Sequence, residues 1–318
     1  MSIFLPNYFR KIINFLIILL FISCSKDNDQ QKTYIKIERF DKIFYQSDLN
    51  SLDDVKKNYP FFFPNSYPDN IWIERLNNPI QKEIFDEIIK EFDSISFLEI
   101  QLSNFFQKKN FNFENIPRVI TVNTDIDYRN RIILTDTILL IGLDNYLGKN
   151  HRFYEDIPLY IKEDFTRNHI IKDIALQYAI KFTPKLDNYT FLDKIIYHGK
   201  LLYYIDISLK KTDENIKIGY SKNKLDWAKE NEFFVWTYFI ENEILFNPDN
   251  KLNNRFINDA PFSRFYFEND NESTEMIGKY IGWKIVKSFM KNNDISVSDM
   301  MNTKQIEIYN KSKYKPKK

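Results

Sequence analysis

Six glycines serve all 318 residues of this chain: Gly142, Gly148, Gly199, Gly219, Gly278 and Gly282. Folds that wrap a nucleotide phosphate need several glycines in one tight turn, because only a residue without a Cβ lets the backbone approach the phosphate there. No spacing among these six makes such a loop, so Rossmann and Walker architectures are excluded. Gly278 and Gly282 are spaced G-x-x-x-G within a helical stripe of Ile277, Ile281, Ile285 and Phe289. Outside a membrane this pairing predicts close packing of one helix on another. Cys24 is the single cysteine, so the body must be stable without disulfides. His151, His169 and His198 lie far apart in sequence, and a three-histidine metal site would require all of them to converge.

Cys24 ends a leader in which Arg10 and Lys11 precede a mostly apolar run over 12–22, and polar Ser25-Lys26-Asp27-Asn28-Asp29 follows. A charged-then-apolar segment shorter than the roughly 18 to 20 residues of a spanning helix has the form of a cleavable secretion signal. With Ser23 at the cut and Phe21 three residues before the thiol, the site resembles a bacterial lipobox, where the cysteine is acylated and becomes the N-terminus. This reading divides the chain into a signal peptide at 1–23, a lipidated tether at 24–33 and one domain at 34–318. Acyl chains at Cys24 would hold the body to a membrane, each buried methylene contributing about 0.8 kcal/mol. Lys plus Arg total 45 against 44 Asp plus Glu, so no net field attracts nucleic acid. The lysine-rich end at 311–318 reads as a solvated tail.

Alternation through Tyr34-Ile35-Lys36-Ile37-Glu38-Arg39-Phe40 predicts a first strand. Prolines bracket an aromatic plug, Tyr59-Pro60-Phe61-Phe62-Phe63-Pro64, which reads as an ordered turn. Pro79 opens a long amphipathic helix carrying Ile80, Ile84, Phe85, Ile88, Phe92 and Ile95 at helical spacing. Strands are predicted at 118–122, 132–134 and 137–142, with a turn at 125–130. Beyond Gly148 helices are predicted at 168–182, 190–208, 222–246 and 273–291. No linker divides the body. The pattern is a predominantly helical α+β domain, a small sheet followed by a helical bundle.

Strands followed by a helix and then more helices is also the order of zinc peptidases. Those enzymes place two histidines one turn apart on a helix, with a glutamate beside the first as base. The 168–182 helix resembles that active helix of zincin-like peptidases, yet in the matching register both ligand positions are aliphatic, Leu176 and Ile180, and the base position is the amide Gln177. The third ligand, carried as Glu-Gly on a later helix, corresponds to His198-Gly199. One imidazole alone would hold a metal weakly. The resemblance therefore implies a degenerate zincin-like fold without metal or other cofactor. Two acidic groups remain as candidate pocket or interaction residues, Asp125 with Asp127 in the turn and Asp270 with Glu272 before the last helix. The second group lacks the glycine and terminal glutamate of an EF-hand, and Asn271, Ser273 or Thr274 is expected to cap the helix instead.

Longer stretches match a known pattern over essentially the whole chain from residue 24 onward. They include the aromatic plug, Thr124-Asp125-Ile126-Asp127-Tyr128-Arg129-Asn130, Ile216-Lys217-Ile218-Gly219-Tyr220-Ser221 and Tyr280-Ile281-Gly282-Trp283-Lys284-Ile285-Val286, with further matches at 37–44, 140–148, 239–243, 255–266, 270–273 and 311–316. Together they resemble the gliding-motility lipoprotein family GldB. The resemblance implies a lipid-anchored envelope protein with a periplasmic body, acting with other gliding-motility or secretion-machinery proteins, and it supplies no catalytic residue. The expectation is a non-enzymatic assembly or interaction component, without cofactor and without nucleic-acid partner. The alternative is a zincin-derived peptidase or hydrolase with an unorthodox site, which would require Gln177, His198 and the acids at 268–275 to meet in one pocket.

Overall fold

The computed structural model describes residues 34–107, 115–186 and 190–318. Cys24 and the segments expected to be a signal peptide and a tether, up to residue 33, lie outside the described residues. One mixed sheet has the strand order β1-β2-β4-β3, with β1 at Ile37–Arg39, β2 at Arg118–Val122, β3 at Ile132–Leu134 and β4 at Ile138–Gly142. The first, second and fourth strands run parallel, while β3 lies antiparallel along β4 with Ile133 opposite Leu140. Helices of eight or more residues among the described residues are α1 (Asp69–Asn77), α2 (Pro79–Glu91), α3 (Ser96–Phe106), α4 (Ile170–Phe182), α5 (Phe191–Ser208), α6 (Lys222–Glu230), α7 (Glu232–Glu241), α8 (Ile277–Asn292) and α9 (Gln305–Ser312). The architecture is predominantly helical α+β, as the hydrophobic periodicity predicts.

The period of two along the strands decides the layers. Val119, Leu139 and Ile141 face a core shared with the helices, whereas Ile120 and Val122 turn to the opposite face and meet Phe44, Val55, Tyr59 and Phe63. Parallel strands covered on both faces carry apolar residues on both, which explains the near-continuous apolar run of β2. The aromatic plug is this second cover. Phe40 and Phe62 lie 4.2 Å apart between ring centroids, and Phe63 meets Trp72 edge-on at 5.0 Å. Pro60–Phe62 turns as one 3-10 helix with its proline at the start.

The first strand is shorter than its alternation predicts, and Phe40–Tyr45 is a helix. Buried Asp41 accepts the Arg39 guanidinium at 2.6 Å and the Thr121 hydroxyl, which pulls the chain back over the sheet. The helix opened by Pro79 ends at Glu91, and Phe92 and Ile95 are buried in the link to α3. The 222–246 expectation divides at Asn231 into α6 and α7, and Glu243 at φ 53° lies past the end of α7.

The bundle is built on the contact between α5 and α8. A Cβ on Gly282 would overlap the Ile195 carbonyl, and one on Gly199 would overlap the Gly282 carbonyl. The G-x-x-x-G pair therefore does mark close packing, and Gly199 is the partner on the facing helix. The start of α8 differs from expectation. Ser273 does not cap it; its hydroxyl bonds to the N–H and carbonyl of Ser263 at 3.1 and 2.9 Å, and the Ser263 hydroxyl accepts from the Ile277 N–H at 3.3 Å. That cross-tie delays the helix to Ile277, behind Met276 at φ 50°. The 311–318 segment is not simply solvated. Its lysines are exposed, but Ser312 is buried and Tyr314 packs on Trp236 at 5.0 Å and donates to Glu232 at 2.9 Å.

Candidate functional site

Helix α4 buries Ile171, Ile174, Ala175 and Tyr178 in the core. The residues between them are left to face a cleft of about 400 Å³, closed by α5, the segment leading into β3 and the start of α8. Leu176, Gln177 and Ile180 line it from α4 and His198 lines it from α5. The four positions singled out in the sequence thus share one cavity. His198 packs edge-on against Tyr197 at 5.5 Å. Burial, with Lys279 adding to it, lowers its imidazole to about 3, so it is a neutral ring at physiological pH.

A charged cluster forms one wall. Arg131 stands just before β3, Asp164 in the loop before α4, and Lys172 and Asp173 on the first turn of α4. Arg131 Nε is 2.9 Å from Asp173, and Lys172 Nζ is 2.6 Å from Asp164 and 3.0 Å from Asp173. The Tyr146 hydroxyl donates to Asp173 at 2.8 Å, and His169 Nε2 lies 3.3 Å from Asp164. Burial works against the charges of Arg131, Asp164 and Lys172, yet the opposite charges win. Lys172 and Arg131 hold Asp164 well below the usual carboxylate range, and Asp164 and Asp173 raise Lys172. Burial lowers His169 despite its contact with Asp164, so the cluster balances two cations against two anions.

The acids expected in a pocket lie elsewhere. Asp125 accepts two bonds from Arg75, at 2.9 and 2.6 Å, and one from Gln81 at 2.7 Å. Asp127 accepts from the Arg129 N–H at 3.3 Å and the Asn130 side chain at 2.8 Å, so it shapes the turn. Asp125 and Ile126 adopt φ of 62° and 61°, a left-handed conformation costly for isoleucine. Buried Asp144 fixes it by accepting from the Thr124 N–H at 3.0 Å and the Ile126 N–H at 2.6 Å. Asp270 accepts from the Tyr266 N–H at 2.7 Å, and Glu272 is exposed. None of these four acids lines the cleft, so the convergence required by a hydrolase is met only by Gln177 and His198.

The residues do not fit zinc. The side chains of Leu176 and Ile180 have no lone pair to donate, and among the described residues no group of three or more His, Cys, Asp or Glu is placed to hold a metal. Sequence reasoning missed Arg131, Asp164, Lys172, Asp173 and Lys279. One signal was present: Lys172-Asp173 interrupts the apolar sequence Ile170, Ile171, Ile174, Ala175, where a buried ion pair is the economical reading.

No curated protein and no solved structure matches the chain. A family model described as gliding motility protein GldB matches residues 23–316 of the 318, and the chain therefore belongs to the GldB family of gliding-motility proteins.

Proposed function

We propose that this protein is a lipid-anchored component of the gliding-motility apparatus that binds other molecules at its cleft without cleaving them. One observation carries the non-enzymatic half: the zincin-like positions share a cavity, but aliphatic Leu176 and Ile180 stand where ligands would have to be. The anchored half rests on Cys24 at the end of its leader and on family membership. No described helix is long and apolar enough to cross a membrane, which suits attachment by lipid. The acyl group would be joined to Cys24 after cleavage behind Ser23, leaving the body on the periplasmic side. Its partners would be other proteins of the motility or secretion machinery, reached by crosslinking the intact lipoprotein in cells.

Two measurements test the reading. Cys24→Ser should move the protein from the membrane to the soluble fraction and change its electrophoretic mass; a variant that stays membrane-bound with unchanged mass refutes the anchor. The purified protein should contain far less than one zinc per chain and leave a peptide library intact. Chelator-sensitive cleavage would establish the peptidase alternative instead.

A further inference from the structure

We propose that the cleft binds a carboxylate carried on an aliphatic body, with Arg129 and Lys279 as its ionic partners. The inference rests on the cleft being a binding site, and it is independent of the lipid anchor.

The cleft's charged groups can be paired off one by one. Asp164 and Asp173 are engaged by Arg131 and Lys172, as described above. Lys217 is held by Asp206 at 2.8 Å. Two cations remain. Lys279, on the first turn of α8, has its nearest carboxylate at 3.7 Å, and that residue, Asp259, is 65% exposed. The Lys279 amine donates at 3.0 Å to the Met276 sulfur, a weak acceptor. Among the described residues Arg129 forms no ion pair; its exposed guanidinium lies over the Tyr128 ring, 5.7 Å from the centroid.

An ammonium taken partly out of water without a close counter-ion is unfavourable, and Lys279 reflects this: burial lowers its affinity for its proton. An anion entering the cleft would remove that penalty and form charge-assisted hydrogen bonds. The two buried carboxylates already face cations, and the third carboxylate of the lining, Asp259, is mostly exposed and lies beside Lys279, so the cleft favours an anion over a cation. The remainder of the ligand is set by the facing walls, which are aliphatic: Leu176 and Ile180 on one side, Leu201 and Ile205 on the other. Gln177 and the neutral His198 imidazole add polar groups that carry no charge.

Two sources share this chemistry, a hydrophobic peptide C-terminus and a short fatty acid. Isothermal titration of the full chain in non-ionic detergent would use acetyl-Leu-Ala-Leu as free acid and as amide, inorganic phosphate, and butyrate as the short-chain carboxylate. The free acid should bind, the amide should bind at least about tenfold more weakly, and Lys279→Met and Arg129→Gln should each weaken the acid about tenfold. Butyrate matching the peptide acid would identify the fatty-acid source and leave the proposal standing; peptide acid well above butyrate would identify the peptide. Equal binding of acid and amide, full retention in both variants, or no binding of either carboxylate would overturn it. Phosphate competing as well as the acid would do the same, since the aliphatic walls would then contribute nothing. Lys279→Met removes a poorly compensated ammonium, so an unchanged or higher melting temperature shows that lost binding is not lost folding.

Discussion

Two buried contacts meet the cleft from different sides and are built on opposite principles. The α5–α8 seam brings backbone against backbone at Gly199 and Gly282 and uses no charge at that crossing. The cluster of Arg131, Asp164, Lys172 and Asp173 packs four full charges into the wall beside it. The seam is intolerant of volume and indifferent to pH, whereas the cluster is intolerant of lost charge. Its stability comes from pairing within the cluster rather than from the presence of ions as such, because desolvation offsets much of the attraction in a buried ion pair.

The largest effect should follow from breaking that pairing. Asp173→Ala leaves Arg131 and Lys172 with one carboxylate between them in a buried site and should cost about 4 kcal/mol in chemical denaturation. Replacing the pair together, Arg131→Met with Asp173→Leu, should cost clearly less than the sum of the two single changes. If the double replacement is simply additive, the cluster is not coupled and the contrast with the seam fails.

Next comes the seam. Gly282→Ala forces a Cβ onto the Ile195 carbonyl, so the helices must separate along their contact, at a cost of about 3 kcal/mol. Gly278→Ala should cost less, because its Cβ would lie 2.8 Å from the Phe256 carbonyl oxygen and 3.0 Å from a movable Ile195 methyl. Equal stability of Gly282→Ala and the parent chain would show that the close approach is dispensable.

These two regions were unequally legible in the sequence. The seam could be read because helical spacing and G-x-x-x-G are local patterns, although Gly199 could be matched to Gly282 only once the helices were in place. Leu176, Gln177, Ile180 and His198 were legible for a similar reason, their positions following from a helix and its successor. The cluster was not, since Arg131, Asp164 and Lys172 come from three separate segments that only the fold brings together. The acids Asp125, Asp127, Asp270 and Glu272 misled because composition reveals carboxylates but not which of them shape their own turns. Element ends were misjudged where tertiary hydrogen bonds outweighed local preference, as at Ser273 and Asp41.

A third buried carboxylate sharpens the contrast through pH. Asp144 is held by N–H groups and the Thr124 hydroxyl with no cation beside it among the described residues, and burial pushes it up to about 6 from 3.8. A carboxyl raised in the folded state binds its proton more tightly there than in the unfolded chain. Its contribution is complete below the unfolded value and lost as pH rises through about 6, on the order of 3 kcal/mol in all. Asp164 is lowered, so its contribution has the opposite sense: present above 3.8 and lost as pH falls below it. Stability measured from pH 4 to 7 should therefore decline in the parent chain and flatten in Asp144→Asn, which would be somewhat less stable at the acidic end. An unchanged slope in the variant would remove Asp144 as its source.

The smallest effect tests whether burial, rather than ion-pair geometry, separates the cluster from ordinary surface pairs. Arg75 meets Asp125 through two bonds, at 2.9 and 2.6 Å, as short as any in the cluster. Its side chains, however, are 29% and 49% exposed, against 8% and 5% for Lys172 and Asp173. Water already solvates this pair and salt screens it, so Arg75→Gln should cost less than about 1 kcal/mol, and less again at high salt. Arg75 is the partner to change, because alanine at Asp125 would add strain at φ 62° and confuse the comparison. A cost near that of Asp173→Ala would mean that the bidentate geometry carries the stability. The paired charges of the cleft would then owe nothing special to their burial.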